Sequence, residues 1–191
     1  MELFTAIATR ASAIKLGDPA PSREHLLEIM KAGAHAPDHG KLAPWQFVVI
    51  EANAREVLGN VMAATLLACE PATTPDQLAR ERDKVMRAPC IITVAARVKK
   101  PHKIPEIEQI LAAGAAAQNM FLAAHAFGYG VMWKTGAAAY DPAVKRAIGL
   151  QADDHIVGFI YLGAATLPGT PRAAQLEGHV QWLSVAGAPP P

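Results

Sequence analysis

Residues 36–50 read Ala-Pro-Asp-His-Gly-Lys-Leu-Ala-Pro-Trp-Gln-Phe-Val-Val-Ile. Pro37 and Pro44 each remove a backbone donor, and with the flexible Gly40 they interrupt any helical register, so 35–44 reads as a loop. Trp45 to Ile50 then follow as a run of β-formers with little polar alternation, the pattern of a buried strand. Such a strand needs cover on both sides. That requirement makes the fold a sheet between helical layers.

The neighbouring segments agree. On the N-terminal side, 2–9 predicts a short helix with Leu3, Phe4 and Ile7 on one face. A second helix starts after Pro21 with Ser22 as N-cap, carries Leu26, Leu27, Ile29 and Met30 inward and ends near Gly33. On the other side, 53–68 is helical, with Val57, Leu58, Val61, Met62, Leu66 and Leu67 periodic. Thr74 and Pro75 read as N-cap and first residue of a helix to about Arg87. Its charges, Arg80 to Lys84, read as a solvated face. Residues 90–97, 130–134 and 155–162 predict three more strands. Between them, 106–127 predicts a long helix stopping at Gly128, and Asp141-Pro142 caps a short one closing at Gly149. The whole chain reads as one domain, 1–191, with a proline-rich arm over 164–191. Val180, Trp182 and Val185 alternate along that arm. An exposed tail does not ordinarily carry a tryptophan, so the arm is expected to exchange between subunits of a symmetric dimer.

Composition narrows the function. The 191 residues are 51% hydrophobic and 18% charged, which excludes wholesale disorder. A net charge of +1 offers no broad electrostatic footprint for nucleic acid or for a membrane surface. Residues 109–133 contain no Asp, Glu, Lys or Arg, but they are rich in Ala and Gly and include Gln118, Asn119 and His125, so they read as a core helix rather than a membrane span. The N-terminus has no basic segment followed by an apolar one, and the expected compartment is the cytosol. Cys69 and Cys90 read as two buried, reduced thiols.

No P-loop, Gly-x-Ser-x-Gly, His-Glu-x-x-His or Cys-x-x-Cys occurs. Gly128-Tyr129-Gly130 begins like a dinucleotide fingerprint, but Trp133 occupies the third site and a strand follows. His35 and His39 have helical spacing for a metal pair, yet Pro37 breaks the helix between them. Those histidines remain open between backbone-satisfied loop residues and contacts to an anionic or heteroaromatic ligand. Arg10 and Ser12 form a weak phosphate-binding pair. Trp133-Lys134-Thr135-Gly136 ends a strand in polar residues beside Gly, a usual place for ligand contacts.

These pieces together resemble the nitroreductase family, in its small YdjA-like branch. Four stretches carry the resemblance: Arg10-Ala11-Ser12, residues 36–50, residues 128–136, and Ile156-Val157-Gly158-Phe159-Ile160-Tyr161-Leu162-Gly163. The resemblance implies an α+β fold, an α/β/α sandwich with a central mixed sheet. It implies a homodimer that holds FMN at its subunit interface and oxidises NADH or NADPH. Carried over by position, Arg10, Ala11 and Ser12 bind the FMN phosphate end. His35 and His39 contact flavin from the other subunit, and Trp133, Lys134 and Thr135 form a second flavin segment. Ala123, Ala124, His125, Ala126, Phe127 and Gly128 match a nicotinamide-nucleotide stretch. No protein nucleophile and no metal is implied, since the flavin carries the chemistry. Hydride would pass through flavin N5 to nitroaromatic, quinone or similar acceptors in ping-pong fashion. Lys15 or Lys134 would balance the charge of reduced flavin. Ile14 stands where the family often has a basic residue, and Asp38 and Lys41 stand where larger members have Ser and Asn. The competing readings are a flavin- or ligand-binding sensor or carrier without turnover, and a metal-dependent hydrolase using His35, Asp38 and His39.

Overall fold

The computed structural model describes residues 1–183. Val185 and the rest of the arm beyond Leu183 lie outside them. The strands are β1 (Lys15–Gly17), β2 (Trp45–Glu51), β3 (Cys90–Ala96), β4 (Gly130–Lys134) and β5 (His155–Leu167). The helices are α1 (Leu3–Thr9), α2 (Arg23–Ala34), α3 (Asn53–Cys69), α4 (Pro75–Asp83), α5 (Glu106–Ala126) and α6 (Pro142–Ala147). The sheet runs β1-β5-β3-β2, with β4 also on β5. All four pairings are antiparallel, so a parallel neighbour that would make the sheet mixed is not among the described residues. The sandwich of helices about a sheet is as expected.

Strand β3 is buried along its whole length. Cys90, Ile92 and Val94 face α2 and α5, where they meet Leu26, Ile29, Met120 and Phe121. Ile91 and Ala95 point to the opposite core, built with Leu58, Met62, Val85 and Val144. Alternation along β5 repeats the division: Ile160 and Leu162 join the first core, Phe159 and Tyr161 the second. The period of two in an extended chain is therefore what separates the two layers. Helix α5 lies in the first core through Ala113, Ala116, Ala117, Met120 and Ala124. Its small side chains let it approach α2 closely. Asn119 Nδ2 donates to Ala32 O at 3.1 Å across that contact. No described helix is long and apolar enough to cross a membrane.

Several expectations change. Only Ala6 of α1 is buried, while Leu3, Phe4 and Ile7 are exposed. Leu27, Val57 and Leu67 also face outward. Helix α4 stops at Asp83, and Lys84–Arg87 form a 3-10 turn. Pro89 ends the helical run after Arg87, because the residue before a proline avoids the helical region; Ala88 is extended at φ −148°, ψ 154°. Strand β5 continues past Leu162 to Leu167, where Lys15–Gly17 pairs with it. A three-residue strand has no readable period, so β1 left no trace in the sequence. Residues 35–44 lack regular structure except for a 3-10 turn at His39–Lys41.

Gly33 marks the closest helix approach: a Cβ there would lie 2.7 Å from Met120 Cγ and 3.1 Å from the Phe47 ring. Gly114, inside α5, faces open space. The two should respond oppositely. Gly33→Val is expected to lose about 1–3 kcal/mol in urea unfolding through overpacking. Gly114→Ala is expected to gain about 0.5–1 kcal/mol by reducing unfolded-chain freedom.

Candidate functional site

The end of β4 organises the site. The Trp133 indole lies across β5, where Nε1 donates to Val157 O at 3.2 Å. Gly158 makes room for it, since a Cβ there would meet the indole nitrogen at 2.1 Å. Anchoring Trp133 on one face sends Lys134 and Thr135 outward. Gly136, at φ +114°, then turns the chain in a conformation side chains rarely adopt. Lys134, Thr135 and Gly136 line a cavity of about 660 Å³. Leu66 and Cys69 of α3 stand on its wall, with Phe159 and Tyr161 of β5. Its size falls in the range of about 300–1,000 Å³ usual for small-molecule sites.

A second cavity, of about 340 Å³, adjoins it. Lys15, Arg87 and Lys134 line it together with Ile14, Leu16, Met86 and Met132. Arg87 and Lys134 belong to both cavities, so they form the neck between them. The smaller cavity thus combines three cations with apolar walls and no carboxylate. In the larger one Glu81 forms an ion pair with Lys84. Burial pushes the Tyr161 phenol up to about 12, with Arg87 pulling it down and Glu81 pushing it up. At neutral pH that hydroxyl is a proton-bearing donor beside the cavity.

The predicted residues divide into groups. Lys134 and Thr135 come together in the larger cavity, and Lys15 joins Lys134 in the smaller one. Arg10, Ala11 and Ser12 lead into that region: Ala13 N donates to Val131 O at 2.9 Å, and Ile14 N to Leu167 O at 2.9 Å. The Arg10 guanidinium itself lies 5.0 Å from the centre of the Phe121 ring on α5. His35 caps the C-terminus of α2, and both His35 and His39 are exposed. His39 Nδ1 lies 2.6 Å from Glu108 Oε2. Neither histidine lines the two cavities. Among the described residues no three His, Cys, Asp or Glu side chains are grouped to hold a metal ion. Residues 123–128 form the end of α5 and the turn after it. Ala124 is buried in the core, Ala123 packs against it, Ala126 is exposed and Gly128 takes φ +86°. His125 Nε2 meets Thr9 Oγ1 at 3.0 Å. Phe127 stacks on His25, whose Nδ1 lies 2.7 Å from the Tyr129 hydroxyl.

Two expectations need correcting. The charges over 80–84 do not all form a solvated face, because Glu81 and Lys84 are half-buried and line the larger cavity. The break of α4 at Asp83 turns this end of the helix toward β5. Nor are both cysteines buried: Cys90 is, but Cys69 is exposed at the cavity rim, the last residue of α3. Arg87 and Tyr161 were missed as site residues. One signal for Tyr161 was readable: a phenol in an otherwise apolar strand requires a polar surrounding for its hydroxyl.

Comparison with known proteins places this geometry in context. The family model described as Nitroreductase family matches residues 7–164. A protein of Escherichia coli K12 named "Putative NAD(P)H nitroreductase YdjA" is 40% identical over 167 residues, 87% of this chain and 90% of its own length. A nitroreductase-like family structure from Bacillus cereus superposes with a TM-score of 0.82 at 23% identity, covering 97% of both chains. A nitroreductase structure from Desulfovibrio desulfuricans in complex with FMN has a TM-score of 0.73 at 27% identity, covering 95% of this chain and 96% of that one.

The two thiols should separate by reactivity. Cys90 is pushed up to about 12, first by burial and then by the neighbouring Glu51 carboxylate. A chromogenic disulfide reagent at pH 8 is expected to titrate one thiol in the native protein and a second only in denaturant. Cys69→Ser should abolish the native reaction. A native reaction that survives this substitution would assign the accessible thiol to Cys90 instead.

Proposed function

The chain belongs to the nitroreductase family, and on that footing we propose that it is a homodimeric, FMN-dependent NAD(P)H oxidoreductase of the cytoplasm. The observation that carries the reading is the pair of joined cavities at the end of β4. The larger has the size for a flat heterocycle, and the smaller gathers Lys15, Arg87 and Lys134. A ring system with an anionic edge and a phosphate tail suits that distribution of charge. FMN, when bound, would supply two-electron chemistry between NADH or NADPH and an electrophile such as a nitroaromatic or quinone.

The chain's own residues bind, orient and balance charge. Arg10 and Ser12 supply a guanidinium and a hydroxyl for the phosphate end. Trp133 fixes the strand end, and Lys134 and Thr135 project from it beside the ring. His35 and His39 reach the flavin of a second copy, which accounts for their exposure in a single chain. The turn at 123–128 serves the nicotinamide nucleotide. Apolar surface supports the dimer: Leu3, Phe4 and Ile7 on α1, and Ile107 and Leu111 on α5, are all at least half exposed. Leu176, Trp182 and Leu183 in the arm are similarly uncovered. Surface of this kind marks contact with another chain.

The purified protein is expected to show the two visible absorption bands of oxidised flavin, alone or after adding FMN. Both should bleach with NADH or NADPH in the absence of oxygen. A colourless protein that refuses added FMN would overturn the reading, while bound FMN that neither nicotinamide reduces would leave a binding module without turnover. Arg10→Ala should weaken FMN binding by about 1.5–3 kcal/mol, the scale of a charged hydrogen bond. Full flavin occupancy in that variant would remove Arg10 from the phosphate site.

A further inference from the structure

We infer that Arg87, acting with Lys15 and Lys134 at the neck between the two cavities, sets the reduction potential of bound FMN by holding the negative charge gained on reduction. The inference rests on the FMN reading above and adds a residue that neither the motifs nor the charge pattern single out. Hydride transfer carries two electrons and one proton from the reduced nicotinamide, which leaves oxidised. One negative charge then remains on the acceptor ring until a second proton arrives. Positive charge at that edge favours the reduced form over the oxidised form, whose ring is neutral.

Three observations point to Arg87. First, Lys15, Arg87 and Lys134 line the smaller cavity, and its other lining residues, Ile14, Leu16, Met86 and Met132, are apolar. All three cations are exposed, so solvent screens part of their mutual repulsion, but no acidic side chain among the described residues lines the cavity to offset it. An anion between them relieves that repulsion. Second, none of the six ion pairs among the described residues involves these three side chains. Lys84, the other cation of the larger cavity, is engaged by Glu81. Three cations thus line one small cavity with no acidic partner of their own among the described residues. Third, Arg87 is held in place while its side chain is left free. It ends the 3-10 turn Lys84–Arg87, between buried Val85 and Ala88, and the Ala88 carbonyl accepts from Arg55 Nη1 at 2.7 Å. Its charge also acts on the Tyr161 phenol of the larger cavity. A guanidinium is always charged and offers a planar fork, which suits the adjacent nitrogen and oxygen of an anionic heterocycle edge.

The test uses the FMN-loaded protein. The potential is measured by anaerobic equilibration against a reference dye, and the affinity for oxidised FMN by fluorescence. Arg87→Gln is expected to reduce the preference for reduced over oxidised FMN about tenfold, a fall of about 30 mV for a two-electron couple. Binding of oxidised FMN should change by less than about threefold, since its ring carries no charge to lose. Arg87→Lys should recover most of the potential. Arg80→Gln, on the exposed side of α4, should leave it unchanged. An unaltered potential in Arg87→Gln overturns the inference. So does an equal loss of affinity for both redox forms, which would make the neck a phosphate site. Failure of the wild-type chain to bind FMN is a different result, and it defeats the functional reading itself.

Discussion

The burial of β3 on both faces is the constraint from which the remaining architecture follows. A strand with every residue buried must have its backbone paired on both edges and its side chains covered on both sides. Strands β2 and β5 supply the pairing. Helices α2 and α5 cover one face, and α3 with α6 covers the other. Thr93 shows the cost of this position. It is fully buried, and its hydroxyl has no hydrogen-bond partner. An unsatisfied hydroxyl of this kind costs about 1–3 kcal/mol, so the surrounding packing must outweigh it.

The two faces are packed differently, and the difference locates the site. On the α5 side, alanines and Gly33 allow backbones to approach until no room remains. On the α3 side, α4 breaks at Asp83, and the following turn sends Val85 into the core while Lys84 and Arg87 line the larger cavity. Polar residues there cannot close over β5, and the space between them and the end of β4 becomes the larger cavity. The tight core and the open site are thus two consequences of one sheet with unequal covers.

Much of this was legible in the sequence because it depends on local chemistry. Thr74 caps α4 and Asp141 caps α6, accepting from Ala143 N and Val144 N, as the Thr-Pro and Asp-Pro pairs indicate; the return bond from Gln77 that completes a capping box at Thr74 adds to this. The polar end of β4 beside Gly136 was readable for the same reason. What was not legible depends on partners distant in sequence. The exposure of Leu3, Phe4 and Ile7 is invisible to periodicity, which finds an apolar face without saying what covers it. Arg87 entered the sequence reading only as the end of a helix, because its place between the cavities depends on β1 and β4 meeting a turn some fifty to seventy residues away. His39 was found by resemblance, but its Glu108 partner lies on α5 and no local pattern announces it.

The turn bearing His39 is strained, and contacts from other parts of the chain hold it. Lys41 and Ala43 both adopt positive φ, at 53° and 46°, on either side of Leu42. Non-glycine residues held there cost on the order of 1–3 kcal/mol each and persist only when their surroundings enforce them. Here the Asp38 carboxylate accepts from Ala43 N at 2.9 Å, and Lys99 Nζ donates to Leu42 O at 3.3 Å. Gln109, buried on α5, in turn holds the loop by accepting from Lys99 N at 2.9 Å and donating to Ile104 O at 3.2 Å. Three elements therefore cooperate to keep a strained turn in place, and what the turn presents is an exposed imidazole oriented by a carboxylate. The strain is thus enforced from within the chain, because the polar contacts from Asp38, Lys99 and Gln109 offset what the two positive-φ residues cost.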